Sequence, residues 1–238
     1  MPGRSSSEPR GGKIGKIRPD SVVCDASSLI ALTDAGLLGA LMLVEQRMKG
    51  DLLVTREVIN ESINNPIKVP EYSFSAVRLK RALDSGAFGI VEFSDNTFDR
   101  ILRAANNMFY TNRPFHLVNH GEAEMLAAGI DNNLTTMLMD ERTTRALIEA
   151  PMELKNHLEN EFRVRINVNQ DMYAEFKEMT SGLQVIRSAE IVALANENGY
   201  FKKYKDLSKQ AYEAALYAVK FKGCSIGFDE IRELAKLG

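Results

Sequence analysis

Short, almost wholly apolar runs alternate with longer amphipathic ones along this chain, and two of the apolar runs end on an aspartate. Val22-Val23-Cys24 leads into Asp25, and Met137-Leu138-Met139 leads into Asp140. A strand that is apolar on every residue is covered on both faces. Strands of that kind separated by helices imply a parallel sheet with helices on each side. The spacing predicts strands over Ser21–Cys24, Asp51–Val54, Phe88–Phe93, Leu134–Met139 and Arg163–Val168. Between them, one helical pattern runs through Leu29, Leu32, Leu37, Leu41 and Val44. A second opens at Thr55, which can cap it, and stops at Asn64-Asn65-Pro66. Further helices are expected from Phe74 to Gly86, from Thr97 to Met108, from His120 to Ala128 closed by Gly129, and from Glu141 to Glu149. Tyr110–Asn119 reads as a loop.

The expected architecture is therefore a three-layer α/β/α sandwich with a central parallel sheet and a helical C-terminal extension. Three regions follow: a flexible basic tail over 1–18, an α/β domain over 19–170 and a helical extension over 171–238. The extension carries helical patterns over Ser188–Asn198, Leu207–Phe221 and Phe228–Leu237, suited to covering a sheet edge or building a homodimer interface. A chain of 238 residues and net charge −2 is no tail-driven nucleic-acid binder, although local basic patches remain open to it. Cys24 and Cys224 form no C-x-x-C pair, which leaves no zinc or redox motif and fits a reducing cytoplasm. The most apolar stretch, Ala35 to Val44, is too short to span a bilayer. The polar start of the chain has no apolar signal-peptide core.

In open parallel sheets ligands bind beyond the carboxyl ends of strands. Asp25 and Asp140 stand there. Glu61 lies in the helix after the second strand, and Glu122 in the first turn of the helix before the fourth. If strands one, two and four are neighbours, the four carboxylates meet in one cleft. Crowded carboxylates repel, which raises pKa values, and a divalent cation removes the repulsion. An all-oxygen donor set suits Mg²⁺ or Mn²⁺ rather than zinc, and such a site suits phosphodiester hydrolysis. Each residue also has a plainer reading. Asp25 and Asp140 can be helix N-caps, Asn119-His120-Gly121-Glu122 fits a capping box, and Glu61 can be a solvated glutamate.

Four motifs in order resemble those of the PIN-domain ribonuclease family. Val22-Val-Cys-Asp25-Ala-Ser27 is similar to its opening Asp-x-Ser/Asn motif, and Val58-Ile-Asn-Glu61 to its V-x-x-E. Gly121-Glu122-Ala-Glu-Met-Leu-Ala-Ala128 resembles its G-E-A-E motif, and Asp140-Glu-Arg142-Thr-Thr-Arg145 its final Asp with an Arg-bearing helix. The C-terminal part, from Arg187 to Phe228, resembles VapC-like prokaryotic members. The resemblance implies an Mg²⁺- or Mn²⁺-dependent endoribonuclease in which Asp25, Glu61, Glu122 and Asp140 bind metal or orient water. Ser27 would then hydrogen-bond Asp25 or a metal-bound water. In-line attack by water would leave 5′-phosphate and 3′-hydroxyl ends. It also implies RNA as partner, with an antitoxin protein where the role is that of a toxin. Two departures stand out: Glu122 where many members carry Asp, and the long segment Pro151–Asn160.

Arg142 and Arg145, one turn apart beside Asp140, can contact a substrate phosphate or else pair with Glu141 and Glu149. Glu141 and Glu124 are expected to face solvent. His120 is expected to be solvated or locally bonded, since no second histidine stands at ligand spacing. Lys202, Lys203, Lys205 and Lys209, interleaved with Tyr200, Phe201 and Tyr204, read as a solvated helix junction or as a platform for single-stranded RNA. Two rival functions remain. A non-catalytic RNA- or protein-binding module would keep binding after loss of the four carboxylates. A receiver-like phosphotransfer domain would form an aspartyl-phosphate on Asp25, but the usual lysine at a late strand end is missing.

Overall fold

The computed structural model describes residues 17–237. The strands are β1 (Val22–Cys24), β2 (Leu52–Val54), β3 (Gly89–Ile90), β4 (Phe109–Tyr110), β5 (Thr136–Leu138), β6 (Asn167–Val168) and β7 (Gln184–Ile186). Five of them form one all-parallel sheet in the order β3-β2-β1-β5-β7. From β1 the chain steps outward through β2 and β3 on one side, then returns to add β5 and β7 on the other. The order reverses between β1 and β5, and the crevice at such a reversal is where open α/β sheets place their ligands.

Successive strand residues point to opposite faces. Val22, Cys24, Leu52, Val54 and Leu138 join one core cluster. It is closed by α1 (Ala26–Asp34), α2 (Leu38–Arg47), α3 (Arg56–Ile59), α4 (Pro70–Asp84), α10 (Ser188–Glu197), α11 (Ser208–Phe221) and α12 (Phe228–Leu237). Val23, Leu53, Met137 and Met139 face the other way, onto Met125 and Ala128 of α6 (His120–Asp131). Behind α6 an outer cluster gathers α5 (Asp95–Met108), α7 (Arg142–Glu149), α8 (Pro151–Phe162) and α9 (Gln170–Met179). The result is the expected three-layer α/β/α sandwich. No single described helix is long and apolar enough to cross a membrane.

The structure departs from the sequence reading in several places. The pattern from Leu29 to Val44 is two helices, α1 and α2, broken where Gly36 takes φ +76°. Only glycine adopts that conformation without strain, and the break lets both apolar stripes reach one core. The helix expected to close at Gly129 runs on to Asp131. Gly129 lies within it because a β-carbon there would collide with the buried Met137 side chain. The third strand is shorter than Phe88–Phe93. The expected fifth strand is not part of the sheet. Its alternating Arg163, Arg165 and Asn167 cannot be buried on both faces, and Asn167–Val168 instead pairs antiparallel with Phe109–Tyr110. One of the sheet's two edge strands is β7, so the region read as an extension from 171 supplies part of the sheet itself. The tail read over 1–18 lies outside the described residues up to 16. Arg18 is not free, since its guanidinium is held by the Asp51 carboxylate and the Gly50 carbonyl.

Gly50 is a point of close backbone approach. A β-carbon there would land on the Asp20 carbonyl, and Ser21 Oγ already accepts from Asp51 N at 3.0 Å. The β1 lead-in must therefore shift to admit any side chain. Gly50→Ala is expected to lower stability by about 2–4 kcal/mol in urea unfolding, with an unchanged m-value. An unchanged midpoint would show that this approach is not tight.

Candidate active site: a cluster of carboxylates at the sheet switch point

Asp25 is the first residue past β1. Its backbone N donates to the Leu138 carbonyl at 2.9 Å, which fixes it against the end of β5. It is only 5% exposed. Its side chain caps α1, accepting from Ser27 N at 3.1 Å and from the Ser27 hydroxyl. The plain cap reading and the expected Ser27 contact are thus both present. Burial pushes the Asp25 carboxyl up; the Ser27 and Ala26 hydrogen bonds oppose this, and the charge of Asp140 adds to it.

Glu61 is carried by Asn60–Asn64, a wide π turn that continues α3, rather than by a regular α-helix. Single π turns insert extra backbone and re-aim side chains, and they recur at functional sites. Here the turn sets the Glu61 carboxylate against the bare Cα of Gly121, where an added β-carbon would lie 3.0 Å from Oε2. Burial raises the Glu61 pKa, with Asp25, Glu57 and Glu124 adding repulsion. Glu124 also accepts from Glu57 N at 3.3 Å.

Glu122 sits at the N-terminus of α6 in the expected capping box. Glu122 N donates to Asn119 Oδ1 at 2.8 Å, and Asn119 N donates to Glu122 Oε2 at 2.7 Å. The cap occupies Oε2. The residue is 6% exposed, and burial pushes its pKa up to about 7. The Asn119 hydrogen bond opposes that rise, while Glu141 and then Asp25 add to it.

Asp140 is brought to the same place but differs in kind. It is 1% exposed. Oδ1 accepts from Ser188 N at 2.8 Å and Oδ2 from Ser188 Oγ at 2.6 Å. Its two oxygens thus accept from the start of α10, and its charge reaches Asp25. Glu141 stands further out. It caps α7 through Oε2, which accepts from Thr144 N, and it is the foremost charged neighbour of Glu122. The solvent-facing position expected for it fails because the residue precedes the helix instead of lying on its outer face.

None of Asp25, Glu61, Glu122, Asp140 or Glu141 pairs with a lysine, arginine or histidine among the described residues. Among the described residues, no three carboxylate, histidine or cysteine side chains stand close enough together to hold a metal ion between them. The donor chemistry still fits a hard cation. All the groups are carboxylates, burial and like-charged neighbours raise the pKa values of Asp25, Glu61 and Glu122, and Mg²⁺ takes only one or two protein carboxylates besides water and phosphate.

A family model described as a PIN domain matches residues 21–151, more than half of the chain. The chain belongs to the PIN-domain family. PIN domains are generally nucleases and typically use divalent metals. Neither the curated proteins nor the solved structures searched returned a match.

The two arginines of this PIN domain's final motif part ways. Arg142 is exposed and makes no ion pair among the described residues. Arg145 is partly buried; its charge lowers the pKa of Glu230 on α12, and its Nε has no acceptor. It thus lies nearer the C-terminal helices than Arg142 does. The alternative pairing with Glu141 or Glu149 is not formed. His120 is exposed and meets Phe98 edge-on at 5.5 Å, the locally packed histidine the sequence suggested.

The pH dependence of stability has a definite sign. Glu122 titrates near 7 in the fold and near 4.5 when exposed. Its protonated form is therefore favoured by folding. The metal-free protein keeps that contribution below about pH 4.5 and loses it as pH rises through 7, on the order of 2–3 kcal/mol. Glu122→Gln keeps an acceptor for Asn119 N and should flatten the slope in chemical denaturation run with chelator. An identical slope in the variant would place the proton elsewhere.

Proposed function

We propose that this PIN domain is an Mg²⁺- or Mn²⁺-dependent endoribonuclease that hydrolyses RNA by attack of water. What carries the reading is the gathering of Asp25, Glu61, Glu122 and Glu141 at the β1/β5 reversal with no cationic side chain among them. One or two of Asp25, Glu61, Glu122, Asp140 and Glu141 would hold the cation directly, the others orienting its waters. When bound, the cation offsets charge on the phosphodiester and makes the attacking water more acidic. Ser27 orients the Asp25 carboxylate through its hydrogen bonds. Glu122 Oε2 is committed to Asn119 N, which leaves Oε1 as the oxygen free to meet the cation or its water. Arg142, exposed and without an ion pair among the described residues, would meet a substrate phosphate, with Arg145 one turn on. Products would carry 5′-phosphate and 3′-hydroxyl ends. The reading accommodates a VapC-like toxin held by an antitoxin, as a homodimer in the cytoplasm, and equally an RNA-processing enzyme.

Cleavage of labelled single-stranded RNA tests it. With Mn²⁺ present, Asp25→Asn and Glu61→Gln should each lower the rate by about a hundredfold or more while far-UV circular dichroism is unchanged. Glu141→Gln should cost more activity than Asp140→Asn, whose asparagine still offers an acceptor to Ser188. Equal cutting by wild type and Asp25→Asn, or RNA binding without any metal-stimulated cutting, would remove the catalytic reading.

A further inference from the structure

Residues 200–209 carry four lysines against the single Asp206, in a chain whose net charge is −2. Lys202, Lys203, Lys205 and Lys209 are all exposed, and none forms an ion pair among the described residues. Such a cluster repels itself and is usually spread out or interleaved with acids. Here the backbone holds it together. Tyr200–Leu207 is two short 3-10 turns joined at a kink, entered through Gly199 at φ +81°. Lys205 takes φ 52°, ψ −121°, a conformation that lysine adopts only when its surroundings impose it.

The segment is rigid because it is anchored. Phe201 is 3% exposed and packs edge-on to Tyr200 at 5.1 Å and near Tyr212 at 5.8 Å. The Tyr200 hydroxyl lies against Gly39 of α2, 3.1 Å from where a β-carbon would stand. Tyr204 stacks on Phe201 with one face, ring centroids 6.4 Å apart, and is 47% exposed. Lys203 Nζ hangs over the Tyr200 ring at 3.7 Å and near the Tyr204 ring at 5.3 Å. Fixed positive charge beside a buttressed, half-exposed ring is the surface that holds single-stranded nucleic acid without reading its sequence: the charge follows phosphates and the ring stacks a base.

Its place in the fold gives the surface a use. α10 begins at Ser188, which Asp140 holds at the acidic rim, and ends just before this segment. Ten residues of helix span about 15 Å. We propose that the Tyr200–Lys209 surface anchors the single-stranded part of an RNA substrate, one helix length from the acidic rim. The identity of the nucleic acid rests on the ribonuclease reading.

Fluorescence anisotropy of a labelled single-stranded RNA oligonucleotide on the full chain, with EDTA to prevent cutting, tests the surface. The triple substitution Lys202→Ser, Lys203→Ser, Lys209→Ser should weaken binding at least tenfold. It should also lower the slope of log K against log salt by about two. Tyr204→Leu keeps Phe201 covered and should weaken binding about tenfold without changing the slope. Melting temperatures should stay at the wild-type value, and a trinucleotide too short to span both places should be cut by the triple variant as by wild type. Unchanged affinity and slope in the triple variant would overturn the proposal, as would binding to anionic vesicles but not to RNA. Weakened binding in a chain that cuts no RNA would leave the anchor standing and remove the nuclease reading instead.

Discussion

The Asp25 carboxylate lies in a protein interior, one residue past β1, with its backbone N tied to the end of β5 and no cation paired to it among the described residues. Burying an ionised carboxylate without a partner is costly, so such a group is either protonated or held for a ligand. Around it stand Glu61, Glu122, Asp140 and Glu141, each brought in by a different element: a π turn, a capping box, a strand end and a helix cap. Four of these five carboxylates also have a structural duty. Asp25 and Glu141 cap helices, Glu122 closes the box with Asn119, and Asp140 receives Ser188. Structural and chemical readings of the same carboxylate therefore coexist, because a cap engages one oxygen and leaves the other.

The C-terminal third is welded to this site. Asp140 holds the first turn of α10 through Ser188, and one residue earlier the buried Arg187 binds Glu190 and Glu230 together with the Ser225 carbonyl. The guanidinium is 9% exposed and fully engaged, so its desolvation is offset by paired, hydrogen-bonded carboxylates. β7 adds the edge strand beside β5, and α10 to α12 cover the face opened by α1 and α2. Removing this region would uncover an edge of the sheet and leave Asp140 without its donors.

Much of this was legible from the sequence because local chemistry and tertiary position agree where strands are wholly buried. Val22–Cys24, Leu52–Val54 and the run Met137–Met139 announce themselves by unbroken apolarity, and Asp25 and Glu122 by the turns that follow or precede them. The edge strand Gln184–Ile186 is short and only half covered, so its composition says little. The two-residue ladder at Asn167–Val168 looks like a strand of the main sheet until its alternating polar residues are given a place. Glu141 was invisible for a different reason. Whether a carboxylate beside Asp140 faces the cluster or the solvent depends on where the next helix starts, and a boundary shift of one residue decides it. That Arg145 lies within the field of Glu230, far along the chain, is likewise beyond what local spacing can show.

The account turns on mutual repulsion that a divalent ion relieves, and thermal melting with and without Mn²⁺ addresses that most directly. In chelator, Asp25→Asn and Glu61→Gln should each melt above wild type, since each removes a buried like charge. Saturating Mn²⁺ should raise the wild-type melting temperature, by an amount corresponding to about 2.7 kcal/mol at a hundred times Kd, and leave the variants nearly unmoved. A wild type that ignores Mn²⁺, or variants that respond to it as strongly as wild type, would contradict the account.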